Sequence, residues 1–405
     1  MDAQTARRAN EVAHFGGHQV IDVDTHLSEP HDLWTKRAPA SVRHRVPQVK
    51  VHEGVRTWVI DEDRVIAYAT SPTSVVLPDG TKTRGMEWLN FTLEQVHPAS
   101  WRVKDRLAYM DGQGVTAQIV YPNVLGFGGQ HASLVDPDLR LASTQIFNDA
   151  MAEMQAESGQ RMYPMALMPW WDADLTVKEA ERCKAMGLRG VNINTDPQLH
   201  RGLSGELLPD LGSNYWEPIW EACSALDLPI NFHVGSTSNN SAEWHGTQGW
   251  ATLRAGLGGA VSSTMLYHQN ARILGNLICS GIADRFPTIK FVSVESGIGW
   301  VPNLLETLDY QVSEMTREKV LQRKPSEYFP TNFYATFWFE RRRLGEMIRA
   351  VGVDNVMFET DFPHPTCLMP IDDVDGAMQG LTYEEKDKVL NGNAQRVYNI
   401  RLNGE

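Results

Sequence analysis

Eight short apolar runs, each followed by a stretch of helical spacing, constrain this chain more than any other feature. The runs are VIDVD (20–24), AQIVYP (117–122), MYPMALMPW (162–170), GVNIN (190–194), PINFHVG (229–235), IKFVSVES (289–296), NFYATF (332–337) and NVMFETD (355–361). Their β-branched and aromatic content suits buried strands. The segments between them carry helix punctuation: Asp136-Pro137 opens one, and Gly159 and Gly187 close two others. A strand that returns through a helix pairs parallel to its predecessor, and eight such units close a (β/α)8 TIM barrel. A doubly wound open sheet is the alternative. It wants a glycine-rich phosphate loop after its first strand, and none follows here. The barrel is the predicted fold, and a hydrophobic content of 42% supplies its core.

One stretch resists the pattern. Residues 30–98 read as an insertion after the first strand, with VRTWVI (55–60) and RVIAYA (64–69) forming a β-hairpin and 70–98 a long surface loop. Residues 1–18 read as a flexible polar tail and 19–405 as one domain. The four cysteines are scattered without CxxC spacing, which argues against a disulfide framework and suits the cytoplasm. A net charge of −13 speaks against a nucleic-acid partner, and no apolar run is long enough to span a membrane. A small-molecule substrate is the expected partner.

The ionisable residues fall where such a barrel places its chemistry, at the C-terminal strand ends. Asp24 and His26 close the first strand, His233 the fifth, Glu295 the sixth and Asp361 the eighth. Two imidazoles and three carboxylates converging on one point suit a divalent metal such as zinc, manganese or iron. Asp22 shares the face of Asp24 but lies deeper, as a supporting hydrogen-bond partner. Glu29 in the loop after the first strand, and Asn231 and Glu359 inside the barrel, take the same supporting reading. Trp170, Trp171, Trp244, Trp250, Phe337 and Trp338 would form an aromatic rim for a flat or apolar substrate. Arg341-Arg342-Arg343 reads as a solvated or salt-bridged face, and Gly126–Gly129 as a flexible loop.

The segments IDVDTHLSEP, INFHVG, VESGIGWVP and ETDFPHP, in that order, resemble the amidohydrolase superfamily. The similarity is to the amidohydrolase-related branch that holds the aminocarboxymuconate-semialdehyde and γ-resorcylate decarboxylases. By that resemblance Asp24, His26, His233 and Asp361 bind a divalent metal, most often zinc or manganese. Asp361 also shuttles a proton, and the barrels pair as homo-oligomers, expected here as a dimer. There are two departures from the pattern. Asp24 stands where relatives carry His or Glu, and Glu295 stands where they carry a sixth-strand histidine. A carboxyl donates a proton only when its pKa is raised, so Glu295 weighs against the decarboxylase assignment.

Metal-dependent hydrolysis of an amide, ester or lactone is therefore the first expectation. A metal-activated water would attack, with Asp361 as its base, Glu295 as a further ligand or proton carrier, and His364 orienting Asp361 or protonating the leaving group. Non-oxidative decarboxylation of an aromatic or unsaturated acid is the alternative. The acidic donor set also admits a diiron oxygenase on the same scaffold, and a non-catalytic ligand-binding barrel comes last.

Overall fold

The computed structural model describes residues 14–67, 70, 72–238, 252, 256–317 and 319–402. Among the described residues twelve strands run in chain order: β1 (Ile21–His26), β2 (Gln48–His52), β3 (Val55–Ile60), β4 (Arg64–Ala67), β5 (Ala117–Tyr121), β6 (Met162–Pro164), β7 (Ala166–Leu167), β8 (Val191–Asn192), β9 (Ile230–His233), β10 (Phe291–Val294), β11 (Phe333–Phe337) and β12 (Val356–Phe358). The barrel strands pair in parallel as β1-β5-β6 and β12-β11-β10-β9-β8-β7. The third expected strand, 162–170, is split at Met165 into β6 and β7, and the split is where the two arcs join. Met165 N–H donates to the Val120 carbonyl at 2.9 Å, whereas Ala166 N–H donates to Gly190 on the other side at 3.0 Å. The circle closes opposite, where Asp361 N–H donates to the Asp24 carbonyl at 2.9 Å and His26 N–H to Phe362 at 2.8 Å. This is a (β/α)8 barrel, as the eight runs predict.

The closure is pinned by a buried carboxylate. Asp22 Oδ1 accepts from Thr360 N–H at 2.8 Å, and its Oδ2 accepts from Thr360 Oγ1 at 2.6 Å and Gln118 Nε2 at 3.1 Å. Arg106, wholly buried, donates to Gln118 Oε1 at 3.1 Å, to the Ala99 carbonyl at 2.7 Å and to the carbonyl of His26. One side chain thus ties β1 to the turn after β12, and a cation two bonds away holds β1 to β5. This network sets the height at which the residues flanking Asp22 and Thr360 enter the barrel mouth.

The insertion departs from its sequence reading in two ways. It is a three-stranded antiparallel sheet, β2-β3-β4, because Gln48–His52 adds to the expected hairpin; residues 68 and 69 of that hairpin lie outside the described residues. Residues 72–98 do not merely cross the surface: Ser74, Val75 and Val76 are buried, and Val75 N–H donates to the Pro363 carbonyl at 3.0 Å. Trp58 packs edge-on against Trp34, 5.6 Å between centroids, and Trp34 Nε1 donates to the Ser143 carbonyl at 2.9 Å, which ties the inserted region to the barrel helix Pro137–Glu157. The tail expected over 1–18 is also packed where it is described. Phe15 is buried against Phe358, and His18 stacks on Tyr383 and lies 3.0 Å from Asp387. Residues 1–13 lie outside the described residues. The C-terminal helices Tyr383–Asp387 and Asn393–Tyr398 are joined by a π turn over Lys388–Gly392. Among the described residues no helix is long and apolar enough to cross a membrane.

Replacing Asp22 tests the closure. Asp22→Ala leaves the Thr360 N–H and the Gln118 amide without their buried acceptor, and should cost about 2–4 kcal/mol in urea unfolding. Burial raises the Asp22 pKa to about 7, above its ordinary carboxylate value. The sign follows from linkage: a raised folded pKa contributes stability at low pH that is lost as pH rises through about 7. Asp22→Asn has no such loss, so its stability deficit relative to the natural chain should shrink between pH 5 and pH 8.

Candidate active site and metal-binding cluster

Every sequence-predicted donor lies at the C-terminal mouth of the barrel, and six of them meet. Asp24 Oδ1 lies 3.5 Å from His26 Nε2, and Asp24 Oδ2 lies 3.4 Å from His233 Nε2. His26 Nε2 is 3.7 Å from Asp361 Oδ1, and His233 Nε2 is 3.6 Å from Glu295 Oε2. His364 Nδ1 completes the set, 3.3 Å from Asp361 Oδ1. Three overlapping triads (Asp24, His26, His233; His26, Asp361, His364; Asp24, Glu295, Asp361) each bring their ligand atoms within 4.8 Å of one another. The backbone bends to aim two of the carboxylates. Glu295 has φ of 53° and Asp361 of 58°, the left-handed region that non-glycine residues seldom occupy. Each turns the chain inward where its strand ends.

The electrostatics of this cluster suit a cation. Asp24 and Asp361 are fully buried, yet both Asp24 oxygens and Asp361 Oδ1 lack a hydrogen-bond donor, as do His26 Nε2 and His233 Nε2. Burial, then the neighbouring Asp361 and Asp22 charges, pushes Asp24 well above the usual carboxylate range. Burial, then Asp361 and Asp24, does the same to Glu295. Burial pushes His233 down to about 4 and His26 well below its ordinary value, so both imidazoles are neutral and carry lone pairs. Neutral nitrogens beside carboxylate oxygens without donors are the donor chemistry of a divalent ion such as manganese or zinc. The histidine tautomers agree with this. His233 Nδ1 faces the Val234 carbonyl at 2.8 Å and His364 Nε2 faces Asn123 Oδ1 at 2.9 Å; donation there leaves the opposite ring nitrogens as acceptors.

The expected supporting residues divide into three kinds. Asp22 serves barrel closure, as described above. Glu29 does not reach the cluster; its Oε1 accepts from Asn123 N–H at 2.8 Å and Val124 N–H at 3.1 Å, and its Oε2 from the Asn123 amide at 3.2 Å. It therefore fixes the Asn123 that holds His364. Asn231 lies lower in the barrel, accepting from Tyr398 at 2.7 Å and Tyr121 at 3.2 Å. Glu359 is buried beneath Glu295, whose N–H it faces at 3.4 Å.

A cavity of about 380 Å³ opens onto Glu295 and His364, walled by Phe127, Tyr267 and Thr366 among others. The aromatic rim read from sequence is mostly misplaced. Trp170, Trp171 and Phe337 are core, and Trp338 braces the site loop by donating to the Thr366 carbonyl at 3.1 Å. Trp244 and Trp250 lie outside the described residues. The cavity's aromatic walls come instead from Phe127, 4.2 Å from the His233 ring, and Tyr267, edge-on to Trp338 at 5.3 Å. Phe127 sits in the glycine stretch expected to be flexible. That loop is packed: a Cβ at Gly128 would lie 2.6 Å from the Ile193 carbonyl oxygen, and Gln130 Oε1 accepts from Gly128 N–H at 3.0 Å. Thr366 was also missed; its hydroxyl donates to Asp361 Oδ2 at 2.9 Å. Asn123 follows a strand end and carries the one local signal that a search for polar residues at the barrel mouth would have found. Arg341 and Arg343 pair with Asp372 and Glu346, the salt-bridged face expected of the arginine run.

Known proteins share this architecture. The chain is 26% identical to a γ-resorcylate decarboxylase of Polaromonas sp. over 303 residues, 73% of this chain and 86% of that protein. A solved amidohydrolase from Mycobacterium avium subsp. paratuberculosis superposes with a TM-score of 0.73 at 22% identity, covering 94% of this chain and 99% of that one. A dihydroxybenzoic acid decarboxylase from Polaromonas sp., solved with bound manganese and the inhibitor 2-nitroresorcinol, gives a TM-score of 0.58 at 19% identity over 94% of this chain and 97% of that one. At such identities these two structures speak for the fold alone. The sequence pattern of the amidohydrolase family matches residues 21–400, from the first barrel strand to the last helix, and the chain belongs to that family.

Proposed function

We propose that this protein is a metal-dependent, non-oxidative decarboxylase of a small aromatic carboxylic acid. The observation that carries the reading is the cavity of about 380 Å³, walled by Phe127 and Tyr267, that opens onto the donor cluster at Glu295 and His364. Similarity to a γ-resorcylate decarboxylase over 73% of the chain supports it. This reverses the order reached from sequence, where hydrolysis came first because Glu295 is a poor proton donor. Burial beside Asp361 and Asp24 removes that objection, since it raises the Glu295 pKa well above the carboxylate range.

In this reading Asp24, His26, His233 and Asp361 hold the cation, manganese or zinc. When bound, it would anchor the substrate's carboxylate and a neighbouring ring oxygen and draw electron density from the ring. The chain's own groups then manage the proton. Burial holds Glu295 toward its protonated form, and its side chain hydrogen-bonds Asp361, to which the proton can pass. Thr366, a wall of the cavity, fixes Asp361 Oδ2, while His364, held by Asn123, flanks Oδ1. Asp361 delivers the proton to the ring carbon bearing the carboxylate. The C–C bond then breaks, its electron pair restores the aromatic ring, and CO2 leaves. Phe127 and Tyr267 keep the flat ring aligned and exclude water from it.

Metal-loaded protein should release CO2 from hydroxylated benzoic acids and leave amides, esters and lactones intact. Hydrolysis of the second group without CO2 from the first would overturn the proposal, and so would two irons per chain with oxygen consumption. Asp361→Asn should lower kcat by about 10²–10⁴-fold with the fold preserved by circular dichroism. His233→Ala should leave the purified protein without stoichiometric manganese or zinc, as read by elemental analysis, and without turnover.

A further inference from the structure

A second cavity, of about 260 Å³, lies beside the one at the donor cluster, and Thr73 and Asn123 line both. Trp58 on β3 and Ala67 at the end of β4 bring the inserted sheet to this second cavity. Ser28, Glu29 and Val124, from the loops after β1 and β5, line it from the barrel. Its inner surface is buried, with Trp58 3% and Glu29 5% exposed, whereas Leu89 and Leu93 form a partly exposed rim. The inner polar groups are already engaged by the protein. Both Glu29 oxygens accept from Asn123 and Val124, and the Ser28 hydroxyl donates to the Pro72 carbonyl. His31 Nδ1 faces the Arg56 guanidinium at 3.4 Å. Among the described residues no Lys or Arg lines the cavity, so what it offers a ligand is apolar and aromatic surface. We propose that this cavity is the second half of the substrate site, and that the acid decarboxylated here carries an uncharged aryl or alkyl arm that runs past Thr73 and ends against Trp58 and Leu93.

This rests on the decarboxylase reading above and names its substrate class. Pockets of about 300–1,000 Å³ enclose drug-sized ligands. The two cavities joined fall inside that range and exceed the needs of one hydroxylated ring. The residue at their junction is held in an unusual conformation. Thr73 has φ of 52°, a left-handed backbone that β-branched residues seldom adopt. Its neighbours keep it there: Ser28 holds the Pro72 carbonyl, the Ser74 hydroxyl pairs with Ser100 at 2.9 Å, and Val75 N–H donates to the Pro363 carbonyl at 3.0 Å. Such conformational cost persists where the site uses the position it fixes, here the neck between two cavities. Burial, then the Arg56 charge, holds His31 below its ordinary pKa, so that ring meets the arm neutral. The barrel in this arrangement supplies the chemistry, and the inserted sheet selects the substrate's far end. Apolar area removed from water in the second cavity strengthens binding and holds the carboxylated ring in place.

CO2 release by metal-loaded full-length protein is the measurement, from salicylic acid and from its derivatives bearing a phenyl or butyl group para or meta to the carboxylate. At least one arm-bearing acid should exceed salicylic acid by about 10–100-fold in kcat/KM, chiefly through KM. Leu93→Trp, which fills the second cavity from its rim, should bring that ratio to about one. Leu89→Trp fills it from a more exposed position and serves in its place where Leu93→Trp does not fold. Equal kcat/KM for all the acids in the natural chain overturns the inference and leaves the decarboxylase reading standing. A ratio that neither substitution lowers also overturns it. No CO2 from any acid overturns the decarboxylase reading, and calorimetry with para-phenylphenol and phenol then decides the second cavity. Affinity for para-phenylphenol at least tenfold above phenol, and lost in Leu93→Trp, retains it as the site of an apolar arm; equal affinities in the natural chain refute that too.

Discussion

The mutual repulsion of carboxylates buried at one point governs this structure. Asp24, Glu295 and Asp361 converge with Glu359 directly beneath, and burial has removed the water that would screen them. In a medium of low effective permittivity such charges do not coexist without protons or a cation. The shifts follow: Asp24, Glu295 and Glu359 are all driven toward the protonated form, while His26 and His233 are driven neutral. The same arrangement that is unfavourable as isolated protein becomes strongly favourable around a divalent ion, which turns folding strain into metal affinity. The left-handed backbone at Glu295 and Asp361 has the same logic, since local conformational cost is tolerated where the surrounding barrel holds both carboxylates to one target.

The scaffold that imposes this convergence is built from polar clamps as much as from apolar packing. Asp22 joins the first strand to the turn after the last, so the ligand-bearing ends at Asp24 and Asp361 rise together. Arg106 repeats the device from the helix before β5, tying Gln118 and the His26 carbonyl into one network. A second relay, Glu29 to Asn123 to His364, carries order from the loop after β1 into the cavity. These groups touch no substrate in the proposed reaction, yet each sets the angle of one that does. Hydrogen bonds to charged groups inside a barrel contribute more than their exposed counterparts, which is why so few suffice.

Much of this was legible in the chain. The eight apolar runs mark the barrel because strand burial on both faces demands continuous β-branched and aromatic residues, and that requirement is local. Asp24, His26, His233, Glu295 and Asp361 stand out because ionisable residues at the ends of such runs have few structural uses. The insertion was less legible. Gln48–His52 carries charge and lies half-exposed, so its alternation is too weak to separate from loop. Phe127, Tyr267 and Thr366 gave no signal at all, because a residue's facing in a loop is set by distant partners. Trp170 and Trp171 misled for the converse reason: large aromatics near a strand end serve the core as readily as a cavity.

What the sequence determined by itself was the architecture, the donor types and their placement at strand ends, since periodicity and side-chain chemistry are properties of short segments. What only the tertiary structure decided was the field around those donors. Whether Glu295 is an anion or a proton carrier depends on Asp361 and Asp24, which lie 66 positions later and 271 positions earlier in the chain. Burial, tautomer and charge coupling are sums over neighbours brought close by folding.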